Sequence, residues 1–192
     1  MMEQRTVVFA LCGSFCTFEQ ILPQIERLVQ MGNRVLPLMS FNAASLDTRF
    51  GTAAQWKMRL YEATGNEPIE TLQGAEPLGP RNMAAAMIIA PCTGTTLAKL
   101  ACGISDTPVT LGAKSMLRGA KPVILAPSTN DGLSASMANL GTLMNRKNYY
   151  LVPLCQDDHL KKPTSLQSDF TLIPDVLECA TRGRQFQPVL LT

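Results

Sequence analysis

Three short segments rich in glycine, serine, threonine and asparagine have the chemistry to bind a phosphate group. They are residues 12–17, 91–96 and 127–132, and each follows an apolar run typical of a buried strand. Glycine permits close backbone approach, while free N–H groups at a helix start and side-chain hydroxyls donate hydrogen bonds without a cation. Any one segment alone fits a helix N-cap equally well, but three at one sheet edge favour a ligand site.

The type of nucleotide is narrowed by motifs that the sequence lacks. Residues 12–17 contain no GxGxxG, and the second predicted strand ends in Ser40-Phe41-Asn42 rather than in the acidic residue of dinucleotide-binding folds. The GxxxxGK[ST] motif of nucleoside triphosphatases is also missing. With dinucleotides and nucleoside triphosphates disfavoured, the ligand that fits these segments is a mononucleotide with a large apolar ring, such as FMN.

The elements that must position these segments alternate between strands and helices. The hydrophobic pattern predicts strands at residues 6–11, 35–39, 87–90, 122–126 and 149–154. Helices are expected at 21–31, 53–64, 95–102, 109–117 and 169–181, with a further helix whose buried face carries Leu133, Met137, Leu140 and Met144. Residues 66–81 are predicted to be an irregular surface segment with at most one helical turn.

This alternation predicts one α/β domain over residues 1–192. Its architecture is expected to be three-layered and Rossmann-like, more specifically flavodoxin-like, with an open parallel sheet of about five to six strands and helices on both faces.

Composition narrows the classes of partner. The 17 basic and 15 acidic side chains give a formal charge of +2, which does not favour nucleic acid or an anionic membrane. The first apolar run is too short for a signal peptide, so a cytoplasmic location is expected. Six cysteines without paired CxxC spacing indicate free thiols and no metal site, with Cys12, Cys92 and Cys102 in the core and Cys16 a packed thiol.

The same segments carry a family resemblance. Residues 13–16, 91–99 and 127–130 resemble the three fingerprints of the flavoprotein family of homo-oligomeric flavin-containing cysteine decarboxylases and flavin prenyltransferases. The likeness extends over essentially the whole chain. It implies FMN as the cofactor and a trimer-based homo-oligomer that places the flavin between subunits.

The resemblance also implies roles for individual residues. Residues 13–16 would face the phosphate and ribityl chain, residues 93–96 would lie beside the ring, and Asn130 would match the asparagine of the third fingerprint. The complete set expected to bind the cofactor is Gly13, Ser14, Cys16, Ser40, Pro91, Thr93, Gly94, Thr95, Thr96, Ser128 and Asn130.

Within the family, residues 14–19, 47–51, 75–80, 128–131 and 156–163 resemble one component of a two-part sporulation synthase. That resemblance implies a separate nicotinamide-binding partner chain. It also implies the oxidation and dehydration of a cyclic hydroxy-dicarboxylate to a pyridine dicarboxylate.

Two departures from the decarboxylase pattern bear on which function the chain has. Thr95 stands where those enzymes have an asparagine, and the chain has no histidine on an early helix, only His159. Decarboxylation by the family mechanism is therefore disfavoured. A self-sufficient FMN-dependent decarboxylase or prenyltransferase, and a flavin-free, non-catalytic partner protein, remain alternatives.

A dicarboxylic substrate would need cations. Lys161 and Lys162, in a charged loop that also contains His159, are expected to pair with its carboxylates, and Arg118 or Arg49 are alternatives for this role. Such a loop is also typical of a solvated surface.

Overall fold

The computed structural model describes residues 4–191, and its centre is a sheet of seven strands. Five are parallel and lie in the order β2-β1-β3-β4-β5, which is the flavodoxin-like order. The parallel strands are β1 (Thr6–Leu11), β2 (Arg34–Met39), β3 (Ala86–Cys92), β4 (Val123–Thr129) and β5 (Tyr149–Leu151). The predicted fold class is confirmed, and the order of the strands reverses between β1 and β3.

Helices cover both faces of this sheet because its strands are apolar on both sides. Along β1, Val7 and Phe9 belong to one core cluster, whereas Val8 and Ala10 belong to the other. The helices are α1 (Phe18–Gln30), α2 (Phe41–Ser45), α3 (Ala53–Thr64), α4 (Leu72–Ala75), α5 (Gly94–Cys102), α6 (Pro108–Arg118), α7 (Ala135–Met144) and α8 (Ile173–Thr181). Single 3₁₀ turns occupy Phe15–Thr17, Glu76–Leu78 and Phe170–Leu172.

Two antiparallel strands extend the sheet beyond what the sequence predicted. Strand β7 (Leu166–Ser168) pairs with the end of β4, and β6 (Leu154–Cys155) pairs with β7. The single strand expected at residues 149–154 is therefore two strands, β5 and β6. The charged, proline-containing stretch between β6 and β7 gave no strand signal, yet this pairing brings it to the carboxyl edge of the sheet.

Residues 66–81 are more ordered and more buried than predicted. Helix α4 and the turn Glu76–Leu78 pack on α6, and the side chains of Ala75 and Leu78 are fully buried. Leu72, Ala75 and Leu78 follow a spacing of three residues, which neighbouring proline and glycine residues disguise.

The face of α7 expected to be buried is mostly exposed. Leu140 is buried, but Leu133, Met137 and Met144 are 41%, 44% and 52% exposed. The prediction that Met137 and Met144 belong to the core was wrong because the helix is apolar on two sides, and Leu143 takes the second buried position. We call the exposed residues Leu133, Met137 and Met144 the α7 stripe.

Within residues 4–191, no helix is both long enough and apolar enough to cross a membrane.

Replacement of Gly79 by alanine is expected to destabilise the fold by about 1–3 kcal/mol, the usual cost of overpacking. A Cβ at this position would overlap the backbone carbonyl of Ser115 on α6. Urea unfolding measures the change in the free energy of unfolding.

The matched control is Gly141→Ala in α7, where a Cβ meets nothing within 4 Å. This variant should gain about 0.5–1 kcal/mol because alanine is the better helix former. Equal unfolding free energies for the two variants would contradict the packing of α6 described above.

Candidate functional site

The carboxyl ends of β1, β3 and β4 bring the three predicted segments together. The Cys12 N–H donates to the Pro91 carbonyl over 3.2 Å, which joins the first segment to the second. The Ser14 and Ser128 hydroxyl oxygens are 2.9 Å apart, which joins the first segment to the third. The three segments therefore form one continuous polar surface at the reversal of strand order, where open parallel sheets bind ligands.

Gly94 sets how closely α5 approaches the third segment. A Cβ at this position would lie 2.7 Å from Thr129 Oγ1, 2.8 Å from Ser136 Oγ and 2.9 Å from Asp131 Oδ1. Only glycine fits without displacing these polar groups. The start of α5 is consequently held against the end of β4 and the start of α7.

A first cleft, here called the hydroxyl cleft, opens between β1, β2 and α5. Its volume is about 330 Å³. It is lined by Cys12, Gly13, Ser40, Phe41, Asn42, Thr93, Thr95, Thr96, Lys99 and Thr107. Lys99, the single charged side chain in this lining, is paired with Asp106 at 2.9 Å. The cleft is thus a neutral, donor-rich surface.

Helix N-caps provide part of this lining. The Thr96 N–H donates to Thr93 Oγ1, and the Ala43 N–H donates to Ser40 Oγ, both at 3.3 Å. The capping interpretation is therefore correct for Thr93 in the second segment but not for Ser14 or Thr17 in the first, and a cap does not exclude a ligand. The first amides of α5, at Gly94 and Thr95, precede the first intrahelical hydrogen bond and are left to bind an acceptor at the positive end of the helix dipole.

A second cleft, the lysine cleft, lies between the first segment, the third segment and residues 157–167. Its volume is about 420 Å³. Among its lining residues are Ser14, Cys16, Ser128, Asn130, Asp157, Lys161 and Lys162. Nine of the residues predicted to bind the cofactor are therefore divided between two adjacent clefts that meet at Gly13 and Ser14, whereas Pro91 and Gly94 line neither.

The two lysines of the second cleft differ in their partners. Lys162 Nζ is 2.7 Å from Asp157 Oδ2, and this contact holds the pKa of Asp157 below its usual range. Within residues 4–191, Lys161 has no carboxylate partner, although its backbone N–H donates to Asp158. Lys161 is therefore the cation available to an anionic ligand.

Two buried thiols, Cys12 in the wall of the hydroxyl cleft and Cys92 at the end of β3, are poor nucleophiles. Burial raises the pKa of Cys12 to about 11 and that of Cys92 well above its ordinary value. The Thr96 hydroxyl donates to Cys12 Sγ at 3.3 Å. Both thiols stay protonated at neutral pH and act as packing groups.

Two cysteine predictions were wrong. Cys16 and Cys102 are exposed, not packed, whereas Cys12 and Cys92 are buried as expected. All six thiols are free in the described chain. Apolar neighbours in sequence did not reveal that Cys16 lies on the exposed side of a 3₁₀ turn and that Cys102 ends α5.

Three other predicted residues do not reach either cleft. Arg118 is exposed at the end of α6, just before β4 begins, and so lies toward the amino edge of the sheet. Arg49 lies over the ring of Phe50 at 4.8 Å from its centroid, and His159 is exposed in its loop. The structure thus brings Lys161 and Lys162 to the site but not the arginine alternatives.

Asp131 is a site residue that the sequence analysis missed. Its Oδ1 accepts hydrogen bonds from the hydroxyls of Thr129 and Ser136, and these bonds lower the pKa of the carboxyl group. An aspartate two residues after a strand and just before a helix is a recognisable signal for such local bonding. Asp131 fixes the end of β4 to α7 beside Gly94.

Residues 4–191 contain no cluster of three or more His, Cys, Asp or Glu side chains that could bind a metal ion.

Comparison with known proteins places these fingerprints in a family. The family model described as Flavoprotein matches residues 1–165. The chain belongs to the Flavoprotein family. The B subunit of dipicolinate synthase from Bacillus subtilis (strain 168) is 42% identical over 190 residues, which cover 99% of this chain and 95% of that protein.

Solved structures agree with this assignment. The crystal structure of the B subunit of dipicolinate synthase from Bacillus halodurans C superposes with a TM-score of 0.90 at 40% identity, covering 98% of this chain and 96% of that one. The FMN-dependent cysteine decarboxylase SpaF has a TM-score of 0.70 at 22% identity and covers 92% and 97%. At that identity SpaF shows a shared fold alone.

Removal of the Asp131 charge by Asp131→Asn is expected to cost about 1–3 kcal/mol of unfolding free energy at neutral pH, the range for hydrogen bonds to charged groups. The folded-state pKa is depressed, so the stabilisation is present above the unfolded value and is lost as pH falls through the folded value. Urea unfolding of both proteins across this acidic range measures the difference.

The control is Glu67→Gln, which changes an exposed carboxylate without a hydrogen bond or ion pair in the described residues. Its difference from the wild type should be small and independent of pH. A pH-independent deficit in Asp131→Asn would show that charge is not the cause.

Proposed function

We propose that the chain binds FMN at the carboxyl edge of its sheet and acts as the B subunit of a dipicolinate synthase. The observation that carries this proposal is the 42% identity, over nearly its full length, to the corresponding protein of Bacillus subtilis. Its partner would be the nicotinamide-binding A subunit of dipicolinate synthase. The reaction would convert 4-hydroxy-tetrahydrodipicolinate to dipicolinate during sporulation, by loss of water and then of a hydride and a proton.

The hydroxyl cleft fits the phosphate end of FMN. The fit rests on the close approach that Gly94 permits, on the free first amides of α5 and on the hydroxyls of Ser40, Thr93 and Thr95. Ser14 and Ser128, joined to each other, border the space between the two clefts. When bound, the flavin supplies an acceptor of a hydride equivalent.

The lysine cleft fits a carboxylate of the substrate. Lys161 is unpaired in the described chain, and Asn130 lines the same space. Lys162, held by Asp157, would keep the loop in place rather than bind the substrate directly. Adjacent clefts allow the reacting ring to lie where the two meet, beside Ser14.

Assembly with other chains is part of the proposal. The α7 stripe exposes two methionines of α7, a helix without charged residues, and Leu133 in the turn just before it, which is typical of a covered surface. We assign this face to a trimer-based homo-oligomer, as the family resemblance implies. Free thiols fit the reducing cytoplasm as the site of action.

Titration with FMN, followed by visible absorbance and flavin fluorescence, tests the cofactor. Wild-type protein should bind FMN. Gly94→Ala should weaken binding by about tenfold, because overpacking by about 1–3 kcal/mol displaces the start of α5 from the third segment. Gly141→Ala, a matched change in another helix, should leave the FMN affinity unchanged. A wild-type protein that gives no spectral change would support the flavin-free alternative.

Steady-state kinetics with the nicotinamide-binding partner and 4-hydroxy-tetrahydrodipicolinate, monitored by pyridine absorbance, test the reaction. Lys161→Gln should raise KM about tenfold, since a hydrogen bond to a charged group is lost, whereas Lys162→Gln should change it by less than about threefold. Asp157→Asn breaks the same exposed ion pair and should likewise change KM by less than about threefold.

Two outcomes would contradict the synthase proposal. Dipicolinate output that does not depend on this chain would leave it without a catalytic role. Release of carbon dioxide from a cysteine-containing peptide by this chain alone would favour the self-sufficient decarboxylase.

A further inference from the structure

A third cleft lies away from the hydroxyl and lysine clefts, between the end of α5, the second half of α6 and the start of β5. Its volume is about 400 Å³, and we call it the amino-edge cleft. Its lining consists of Leu100, Gly103, Ile104, Ser105, Thr110, Lys114, Leu117, Arg146, Lys147, Asn148 and Tyr149. It shares no lining residue with either of the other two clefts.

Three cations line this cleft, and no acidic side chain does. The cations are Lys114, Arg146 and Lys147. Within residues 4–191 none of the three forms an ion pair, in contrast to Arg5, Lys57, Arg59, Lys99 and Lys162. The acid next to the lining in sequence, Asp106, is already paired with Lys99 at 2.9 Å, and from residue 107 to 156 the only acid is Asp131, at the carboxyl edge. The positive charge of the cleft is therefore not neutralised locally.

The cations differ in how firmly they are held. Arg146 donates to the carbonyl oxygens of Leu100 and Ala101, at 3.0 and 2.7 Å, and so satisfies the last turn of α5. Lys114 makes one long contact of 3.4 Å with Ser105 Oγ. Lys147 makes no side-chain hydrogen bond in the described chain. Arg146 is thus a fixed part of the wall, while the two lysines are free to turn toward an anion.

The rest of the wall is apolar and aromatic. Leu100, Ile104 and Leu117 face the space, together with the ring of Tyr149. Burial raises the pKa of Tyr149 to about 12, so its hydroxyl remains a neutral donor at physiological pH. That hydroxyl has no hydrogen-bond partner in residues 4–191. A ligand can therefore gain both apolar contact and hydrogen bonds.

We propose that the amino-edge cleft binds a small carboxylate that has an apolar or aromatic body. The cations match the carboxylate, and the leucines and Tyr149 cover the body. The volume lies in the range of small-molecule sites. Because the cleft is built from residues that the proposed FMN and substrate chemistry does not use, its occupancy does not depend on that function.

Calorimetric titration of the full-length protein at low ionic strength tests this site with defined probes. Benzoate and isophthalate should bind, and isophthalate more tightly because it offers two carboxylates to three cations. Benzamide has the same body without the charge, and sulfate has charge without the body. Both should bind at least about tenfold more weakly, since each loses one of the two contributions.

Lysine variants inside and outside the cleft test whether benzoate binds there. The double variant Lys114→Gln/Lys147→Gln should weaken benzoate binding by about tenfold, which is the combined effect of two exposed charges. Lys121→Gln removes a charge next to β4 but outside the cleft and should leave binding unchanged. Lys161→Gln should also leave it unchanged, because that lysine lies at the opposite edge.

Three results would overturn the proposal: benzoate binding that is absent, that is matched by benzamide or sulfate, or that is lost in Lys161→Gln and kept in the double variant. FMN titration of the double variant separates this proposal from the proposed flavin chemistry. Unchanged FMN affinity together with lost benzoate binding supports the new site. If the wild type binds no flavin, loss of benzoate binding in the double variant alone supports it.

Discussion

The short distance between the start of α5 and the end of β4 is the constraint on which the site depends. It exists because Gly94 has no side chain, so that Thr129, Asp131 and Ser136 can close around its backbone. Strands β1, β3 and β4 lie between two helical layers, so their ends have little freedom to shift. Hydroxyls and amides are then held in place without cations, whose burial would be costly in the absence of ligand.

Much of the fold was readable from the sequence because it rests on local, periodic signals. The helix predicted at 53–64 matches α3, which begins at the Thr52 capping box and ends at Gly65 in a left-handed conformation. The short strands β6 and β7 were not readable, since two or three residues carry no periodicity and their pairing is set by tertiary contacts. The exposure of Met137 was not readable either, because an apolar side chain does not reveal which surface covers it.

The residues of the site were predictable from the sequence, but their division between two clefts was not. Thr93 lines one cleft and Ser128 lines another, and sequence spacing does not show which loops face each other. Asp131 was missed because its bonds to neighbouring hydroxyls are specific to the folded geometry. The pairing of Lys162 with Asp157, which leaves the adjacent lysine available, likewise appears only in three dimensions.

The antiparallel pairing of β7 with β4 has a mechanical consequence. Residues 156–165, which carry both lysines, are anchored at one end by β6 and at the other by β7, and β7 is itself joined to Ser128 and Thr129. A displacement of this loop is therefore transmitted to the end of β4, which contacts Gly94. Binding of an anion at Lys161 and binding of a phosphate beside α5 would load the same strand, which couples the two events through β4.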